Sequence, residues 1–464
     1  MGVFQSVGGA ATSGRGFTGH QVAEALKVAA QGQSERHQER VRADGGGNAG
    51  AHGHRRTRST VVQSLGDLTD ESFTDTAEYR SVLKGDGNES VELVVTEYAP
   101  EVFRYLRQLE GVLETQFSKE WDIPEERLKL ELGEGRSMAM FLKSRSMEFM
   151  CKTISDVEVN VLLGILKHYA THLSSNRHSL LMRFLMLLKV QVKDEIGYIL
   201  CFADIFAGCN LLNERWDIKG RRPKPGKYRQ FPAWAEEQSR RNTSINDPAP
   251  THNRRASYDP TALQQQGSVG PIPHLGGDKL LTRKDKDLTR LFWLEEEHRE
   301  ELLDQLTQDF QFLRGCGLMD YSVLIGVRYD QGSGPSANVP ARSMRMTYAL
   351  GEEGQRDIKE IRSICREGSP EISFRFDPNV ITHNSKYHYG VTSMQGHETY
   401  YIGIIDMLTT YNWKKKTANF CKTFLWTPAT LSTIPPKAYE QRIDKYSHRI
   451  FASAESAAKA DEHD

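Results

Sequence analysis

From residue 90 to residue 218 the apolar residues change their repeat several times, from every second position to the three-and-four of a helix and back. VELVVTEYAPEVFRYLRQLEGV reads as a strand running into a helix, and LGEGRSMAMFLKSRSMEFMCKTIS as strand, turn and strand. SDVEVNVLLGILKHYATHL follows as an amphipathic helix with Val157, Val161, Ile165, Tyr169 and Leu173 down one face. Two more strands are expected in FLMLLKVQV and GYILCFADIF. That order predicts an antiparallel sheet with one long helix packed on it, an N-terminal α+β lobe over about 90–215.

A second ordered region is expected over about 278–455. It opens with EEEHREELLDQLTQDFQFLRG, a helix carrying Leu302, Leu306, Phe310 and Leu313 on one face and stopping at Gly315. A strand (SVLIGVRY), an irregular stretch around 330–395 and a second strand (YYIGIIDML) come next. The final helix opens after Pro435-Pro436 and repeats Tyr439, Ile443, Tyr446 and Ile450. The two regions make a folded body over 76–455.

Three segments read as disordered: an N-terminal tail (1–75), an insertion (223–277) and a short C-terminal tail (456–464). Within the first, rich in Gly, Ala, Ser, Arg and His, only HQVAEALKVAA looks transiently helical. Its start, MGVFQS, fits either an ordinary disordered start or N-myristoylation at Gly2, with Ser6 at the favoured position. No window reaches the roughly 18 apolar residues of a membrane span, since SLLMRFLMLLKV is broken by Arg183 and Lys189. The six cysteines show no paired spacing, which predicts reduced, mostly buried thiols in the cytosol and no metal site of their own.

Chemistry concentrates at a few polar residues set in apolar runs. Lys152 in FMCKTI shares a strand face with Met150 and Ile154, and an ammonium there either snorkels to water or holds an anion such as a nucleotide phosphate. Glu158 is its natural partner, although Ser155 and Glu158 also form a capping box that explains the glutamate alone. Asp320 in RGCGLMDYSVLIGV and Asp406 in YYIGIIDML are single carboxylates at the ends of apolar strands, a pair suited to Mg²⁺ and phosphate. The basic stretches WDIKGRRPKPGKYR and WKKKTANFCK are either solvated surface or, with Trp216, Trp413 and Phe420 interleaved, an anionic-membrane contact. The net charge of −1 gives no global attraction to nucleic acid, and no stretch resembles a base-reading module.

These motifs together resemble the phosphatidylinositol phosphate kinases. MDYSVLIG is similar to that family's MDYSLLVG, YYIGIIDML to its YIGIIDIL, and WDIKG to its DLKG. FMCKTIS is similar to FILKTIS and TRKDKDL to LKDxDF, all five in the family's order from about residue 90 to 452. The resemblance implies a two-lobed fold related to protein kinases, with a flat basic face toward the membrane. It implies transfer of the γ-phosphate of ATP, with Mg²⁺, to a phosphatidylinositol monophosphate by a peripheral cytoplasmic enzyme, with a homodimer as an option.

By motif position the resemblance makes Asp320, Asp406 and Lys219 catalytic, with Asp406 and Asp320 as the metal ligands. Lys152, Gly135, Ser137, Glu158 and Asp217 fall on the ATP side, and Lys415, Lys416, Ala418, Arg221 and Arg222 on the lipid and membrane side. The segment after Asp406 resembles the family's type II pattern, in which alanine stands where Ala418 falls; that favours a 5-phosphate substrate and a 4-hydroxyl acceptor. Departures are Met138 for the second glycine of the G-K-S-G loop, Arg221 for the serine of DLKGS, and Ala203-Asp204 for two hinge asparagines. They bear on ATP affinity more than on the chemistry, and leave a catalytically weak phosphoinositide-binding scaffold as the alternative. A protein kinase is disfavoured, because neither an H-R-D loop nor a D-F-G triplet is present.

Overall fold

The computed structural model describes residues 16–45, 64–84, 90–133, 139–207, 212–222, 280–288, 290–329, 388, 390–411 and 433–456. The 223–277 insertion, Gly2 and most of the irregular stretch after residue 330 lie outside them. The N-terminal lobe is built on strands β1 (Thr76–Lys84), β2 (Ser90–Tyr98), β3 (Glu131–Leu132), β4 (Met140–Lys143), β5 (Phe149–Ile154), β6 (Phe184–Val192) and β7 (Glu195–Ala203). They form one sheet in the order β1-β2-β6-β7-β5-β4-β3, every neighbouring pair antiparallel.

Helix α1 (Gly19–Gly45) covers one face of this sheet together with the short α3 (Glu114–Lys119). Helices α2 (Pro100–Leu109) and α4 (Asp156–Ser175) cover the other. The α1 helix corrects the expected disorder of residues 1–75 over the Gly19–Gly45 stretch, where only HQVAEALKVAA was expected to be transiently helical. Val22, Leu26, Ala29 and Ala30 are buried against Leu93, Val95 and Val190. Small side chains let the helix lie close to the strands: a Cβ on Gly32 would stand 2.1 Å from the Tyr79 ring. Average composition hid this stripe, because the alanines that counted toward a flexible tail are what fit here. Short turns at Leu65–Asp67 and Glu71–Phe73 also pack Leu65, Leu68 and Phe73 against the main core, so order begins well before residue 76.

The helix is fastened by a polar knot. Gln33 Nε2 donates to Glu97 Oε1 and to the Pro100 carbonyl, both at 2.9 Å; the Tyr79 hydroxyl donates to Glu97 Oε2 at 3.0 Å, with Arg36 3.3 Å from the same oxygen. Burial pushes the Glu97 carboxyl up to about 7, against the pull of Arg107, Gln33 and Arg36.

The long helix α4 starts where expected, and of the expected face Ile165, Tyr169 and Leu173 are buried and Val161 partly so, but its first member is not. Val157 is 56% exposed, and the buried stripe is Val159, Leu162, Leu166, Tyr169 and Leu173, with Ile165 beside it. The capping box sets the phase: Ser155 Oγ accepts from the Glu158 N–H at 3.3 Å, while Glu158 Oε2 accepts from the Ser155 N–H at 2.9 Å. Val157 is thereby held in the first turn, facing water.

The C-terminal lobe carries a sheet in the order β12-β13-β11-β8-β9, from Val391–Thr392 (β12), Glu398–Ile405 (β13), Ser322–Tyr329 (β11), Glu214–Ile218 (β8) and Thr282–Lys284 (β9). β8 pairs with β11 at Val323↔Ile218, which moves the lobe boundary from the expected residue 215 back to the 203–213 segment. Helices α5 (Glu296–Gly315) and α6 (Pro436–Ile450) pack Leu302, Leu306, Phe310, Leu313, Tyr439 and Ile443 into the same core. A parallel pair, Phe292–Trp293 (β10) with Phe451–Ala452 (β14), ties the end of α6 to the start of α5.

Besides the 203–213 connection, the lobes are joined by backbone pairing. The Met182 N–H donates to the Ile404 carbonyl at 2.9 Å, and the Ile404 N–H to the Leu180 carbonyl at 2.7 Å. Asp309 of α5, fully buried, accepts from the Leu180 N–H at 2.6 Å and the Ser179 hydroxyl at 2.7 Å, and lies 2.7 Å from His172 Nε2.

Candidate active site

The two carboxylates singled out in the sequence leave the same end of one antiparallel strand pair. Ser322, two residues after Asp320, is in register with Ile405, which immediately precedes Asp406. Neither aspartate continues its strand, as a regular extension of β13 to Asp406 would require. Both are left-handed, Asp320 at φ 63° and Asp406 at φ 57°. Aspartate tolerates that region better than most residues, and each chain bends there to aim a short carboxylate away from the sheet. The Met319 N–H donates to the Thr409 carbonyl at 2.9 Å, which fastens the approach to Asp320 to the segment leaving Asp406.

Around Asp320 the apolar residues are walls. Leu318, Met319, Tyr321, Val323 and Ile325 are buried, and Tyr321 stacks on Phe310 at 5.7 Å and meets Tyr439 edge-on at 4.8 Å. The Tyr439 hydroxyl donates to the Tyr321 carbonyl. The Asp320 side chain itself is 32% exposed, so the rigid packing lies beneath it and the carboxylate opens into the cleft.

Two lysines complete the centre. Lys152, on β5 of the other lobe and almost buried, places Nζ 3.2 Å from Asp406 Oδ1. The expected partner, Glu158, is instead held in its capping box, its Oε2 shared between the Ser155 N–H and hydroxyl. The Lys152 ammonium, helped by Lys219 and Lys284, holds the Asp406 carboxyl below the usual carboxylate range despite its partial enclosure. Lys219, in the loop after β8, donates to the Asp320 carbonyl and lies 3.3 Å from Asp320 Oδ1. Four groups from distant parts of the chain are thus brought to one place.

Asp217 lies on the cleft side of β8, since Trp216 and Ile218 point into the core and strand residues alternate. Gly326 and Gly403 on that face make room for the inter-lobe segment: a Cβ at Gly326 would stand 2.6 Å from the Phe206 ring, and one at Gly403 2.5 Å from Ile205 Cδ1. Asp217 Oδ1 is buried there and has no hydrogen-bond partner among the described residues, an acceptor available to a bound group. Asp204, in place of a hinge asparagine, accepts the Phe206 N–H at 3.0 Å and stands 3.8 Å from Lys143 Nζ.

Asp406 and Asp320 fit a Mg²⁺ ion, which takes one or two carboxylates and completes its shell with substrate phosphate and water. Among the described residues no cluster of three or more His, Cys, Asp or Glu could hold a metal by itself, and a two-carboxylate site of this kind needs none. Gly135, Ser137, Lys415, Lys416 and Ala418 lie outside the described residues. Arg221 and Arg222 follow Lys219 and Gly220 in the loop; burial first, then the neighbouring Arg222, lowers the pKa of Arg449 on α6.

Two residues close to this centre were given no role from sequence. Asp285, in the TRKDKDL stretch, is buried and accepts from the backbone N–H groups of Lys219 and Arg221; burial pushes its carboxyl up to about 6, against Arg221. Arg442 of α6 donates to the Lys219 carbonyl at 3.2 Å. The resemblance of TRKDKDL to a family motif was the only signal for the first, and nothing local pointed to the second.

The chain is similar to known proteins over most of its length. The family model described as phosphatidylinositol-4-phosphate 5-kinase matches residues 124–450, well over half of the chain. The chain is 26% identical over 382 residues to phosphatidylinositol 5-phosphate 4-kinase type-2 gamma of Danio rerio, covering 77% of each, and 25% identical over 370 residues to the type-2 beta enzyme of Homo sapiens, covering 76% of each. It is also 25% identical over 390 residues to phosphatidylinositol 4-phosphate 5-kinase 1 of Arabidopsis thaliana, covering 78% of this chain and 46% of that longer protein. With the lysines and aspartates gathered at one cleft and the match spanning both lobes, the chain belongs to the phosphatidylinositol phosphate kinase family, a family of lipid kinases.

Proposed function

We propose that the protein transfers the γ-phosphate of ATP to a hydroxyl of a phosphatidylinositol monophosphate at an anionic membrane surface. The observation that carries the reading is the pairing of Lys152 with Asp406 and of Lys219 with Asp320 at one end of β11 and β13. In-line phosphoryl transfer asks a protein mainly to position reactants and neutralise charge, and these residue types suit that task. Lys152 binds phosphate oxygens of the nucleotide and orients Asp406. Asp320 accepts the hydrogen bond of the acceptor hydroxyl and can take its proton, while Lys219 stabilises charge beside it. Asp406 and Asp320 would hold Mg²⁺, which would neutralise phosphate charge. Gly135, Ser137 and Asp217 serve the nucleotide.

The 5-phosphate is the favoured substrate and the 4-hydroxyl the favoured acceptor. The relatives include both kinds of kinase, so this finer assignment rests on Ala418 alone. Arg221, Arg222, Lys415 and Lys416 serve the headgroup and the membrane; peripheral attachment accords with the fact that, among the described residues, no helix is long and apolar enough to cross a bilayer. Assembly as a homodimer belongs to the same reading and is checked by analytical sedimentation.

Radiolabel transfer from ATP to vesicles carrying either the 4-phosphate or the 5-phosphate isomer tests the whole reading. Label should enter the bisphosphate, faster from the 5-phosphate, and vanish in Asp320→Asn with vesicle binding retained. A marked preference for the 4-phosphate would overturn the isomer assignment. Wild type that binds vesicles and transfers nothing would favour the scaffold alternative, to which Met138 and Arg221 lend support.

A further inference from the structure

The peptide groups on both sides of Lys219 Cα are held by side chains from two separate elements, the buried Asp285 and the half-buried Arg442. On one side Asp285 Oδ1 accepts the Lys219 N–H at 3.0 Å and the Arg221 N–H at 3.2 Å, with Oδ2 4.0 Å from Arg221 Nε. On the other, Arg442 Nη2 donates to the Lys219 carbonyl at 3.2 Å. Between them Gly220 takes φ +66° and presses on α6: a Cβ there would stand 3.1 Å from Tyr446 Cβ and 3.2 Å from Ile443 Cα.

This is a costly arrangement unless the place of Lys219 matters. Asp285 is 4% exposed, and a carboxylate so deeply buried is unfavourable unless its partners are well made. Here those partners are the two N–H groups that frame one side chain. The guanidinium of Arg442, which also lies 4.8 Å over the Tyr439 ring, comes from a helix more than two hundred positions along the chain. Both converge on the backbone of a residue whose ammonium meets the Asp320 carbonyl and carboxylate.

We propose that Asp285 and Arg442 are positioning residues, which clamp the Lys219 peptide from the sheet edge and from the C-terminal helix and so set its ammonium against Asp320. Neither touches the reactants; both act through Lys219. The inference rests on the lipid-kinase reading of the site. A lysine side chain is long and mobile, and a shift of its backbone by an ångström moves the charge out of register with a transition state. Fixing the backbone at both polar groups removes that freedom before substrate arrives.

The test measures kcat, the KM for ATP and thermal unfolding of the full chain on vesicles of phosphatidylcholine with a phosphatidylinositol monophosphate. Asp285→Ala should lower kcat by about 30-fold, within the range for lost supporting hydrogen bonds, with the KM for ATP little changed. Asp285→Asn keeps a carbonyl oxygen facing both N–H groups and should recover most of that loss. Arg442→Gln should lower kcat by about tenfold, again without raising the KM for ATP, and carries the test by itself should Asp285→Ala fail to fold. Unchanged kcat in Asp285→Ala or Arg442→Gln, or a loss that tracks thermal stability and is not recovered by asparagine, would overturn the clamp. Wild type that transfers no label sinks the kinase reading and the clamp with it, whereas an active wild type with a fully active Asp285→Ala sinks the clamp alone.

Discussion

Lys152 and Asp406 are 254 positions apart in sequence and 3.2 Å apart in space. Replacing Lys152 by Met removes the charge that holds the Asp406 carboxylate and faces the nucleotide phosphates, and should cost turnover about a hundredfold or more while leaving the melting temperature nearly unchanged. Single-turnover transfer with matched thermal scans checks this; a variant that keeps turnover would remove Lys152 from the mechanism. Lys152, Asp320 and Asp406 stood out in the sequence as polar groups in apolar runs, as Asp320 does between Met319 and Tyr321, whereas Lys219 was marked only by the resemblance of WDIKG to a family motif. Their partners did not stand out. Glu158 looked like the mate of Lys152 because it is six positions away, yet the local capping box claims it, and the true mate is set by strand register across the lobes.

At the scale of elements, the α4 cap and the α1 knot make separate demands. Glu158→Ala should lower stability by about 1 kcal/mol, the ordinary cost of a lost helix cap, and leave the KM for ATP unchanged. Equilibrium denaturation beside steady-state kinetics decides between a cap and a nucleotide contact. Glu97 is the pH-sensitive fastener of α1, with Gln33 and Arg36 facing it from α1, Tyr79 from β1 and Arg107 from α2. Its folded pKa of about 7 lies above the ordinary glutamate value of 4.5, so the folded state holds a proton that the unfolded chain has released between those values. Stability from this group is therefore full below about pH 4.5 and is lost as pH rises through 7, by about 3 kcal/mol in all. Thermal scans from pH 5 to pH 8 should show a falling trend that Glu97→Gln flattens; a slope untouched by that change would refute it. The strands and helices from residue 90 onward were legible because their periods were strong. Helix α1 was legible only as the transiently helical HQVAEALKVAA and not as a packed element, since its buried face is mostly alanine and its anchor, Glu97, lies on a strand more than sixty positions away.

For the whole molecule, the informative contact is Asp309, a fully buried carboxylate of α5 that satisfies the backbone and side chain of the 179–180 turn in the other lobe. Asp309→Ala should cost about 3 kcal/mol, the scale for a lost partner in a buried charged network, and lower the stability of both lobes together. Calorimetry should then show one transition at a lower temperature; two separated transitions would mean that the lobes melt independently. A two-lobed architecture was readable from the order of strands and helices, but this bond was not. It joins an ordinary-looking aspartate on an amphipathic helix to a turn 129 positions earlier, with no local signal at either end.

The pairing of Leu181 with Ile404 has a mechanical consequence. It carries Asp406 on the seam between the lobes, two positions after a backbone bridge that the Asp309 contacts to the 179–180 turn hold in place. Lys152 reaches the same carboxylate from the other lobe's sheet, so the Lys152–Asp406 separation is a gauge of how the two lobes are set against each other.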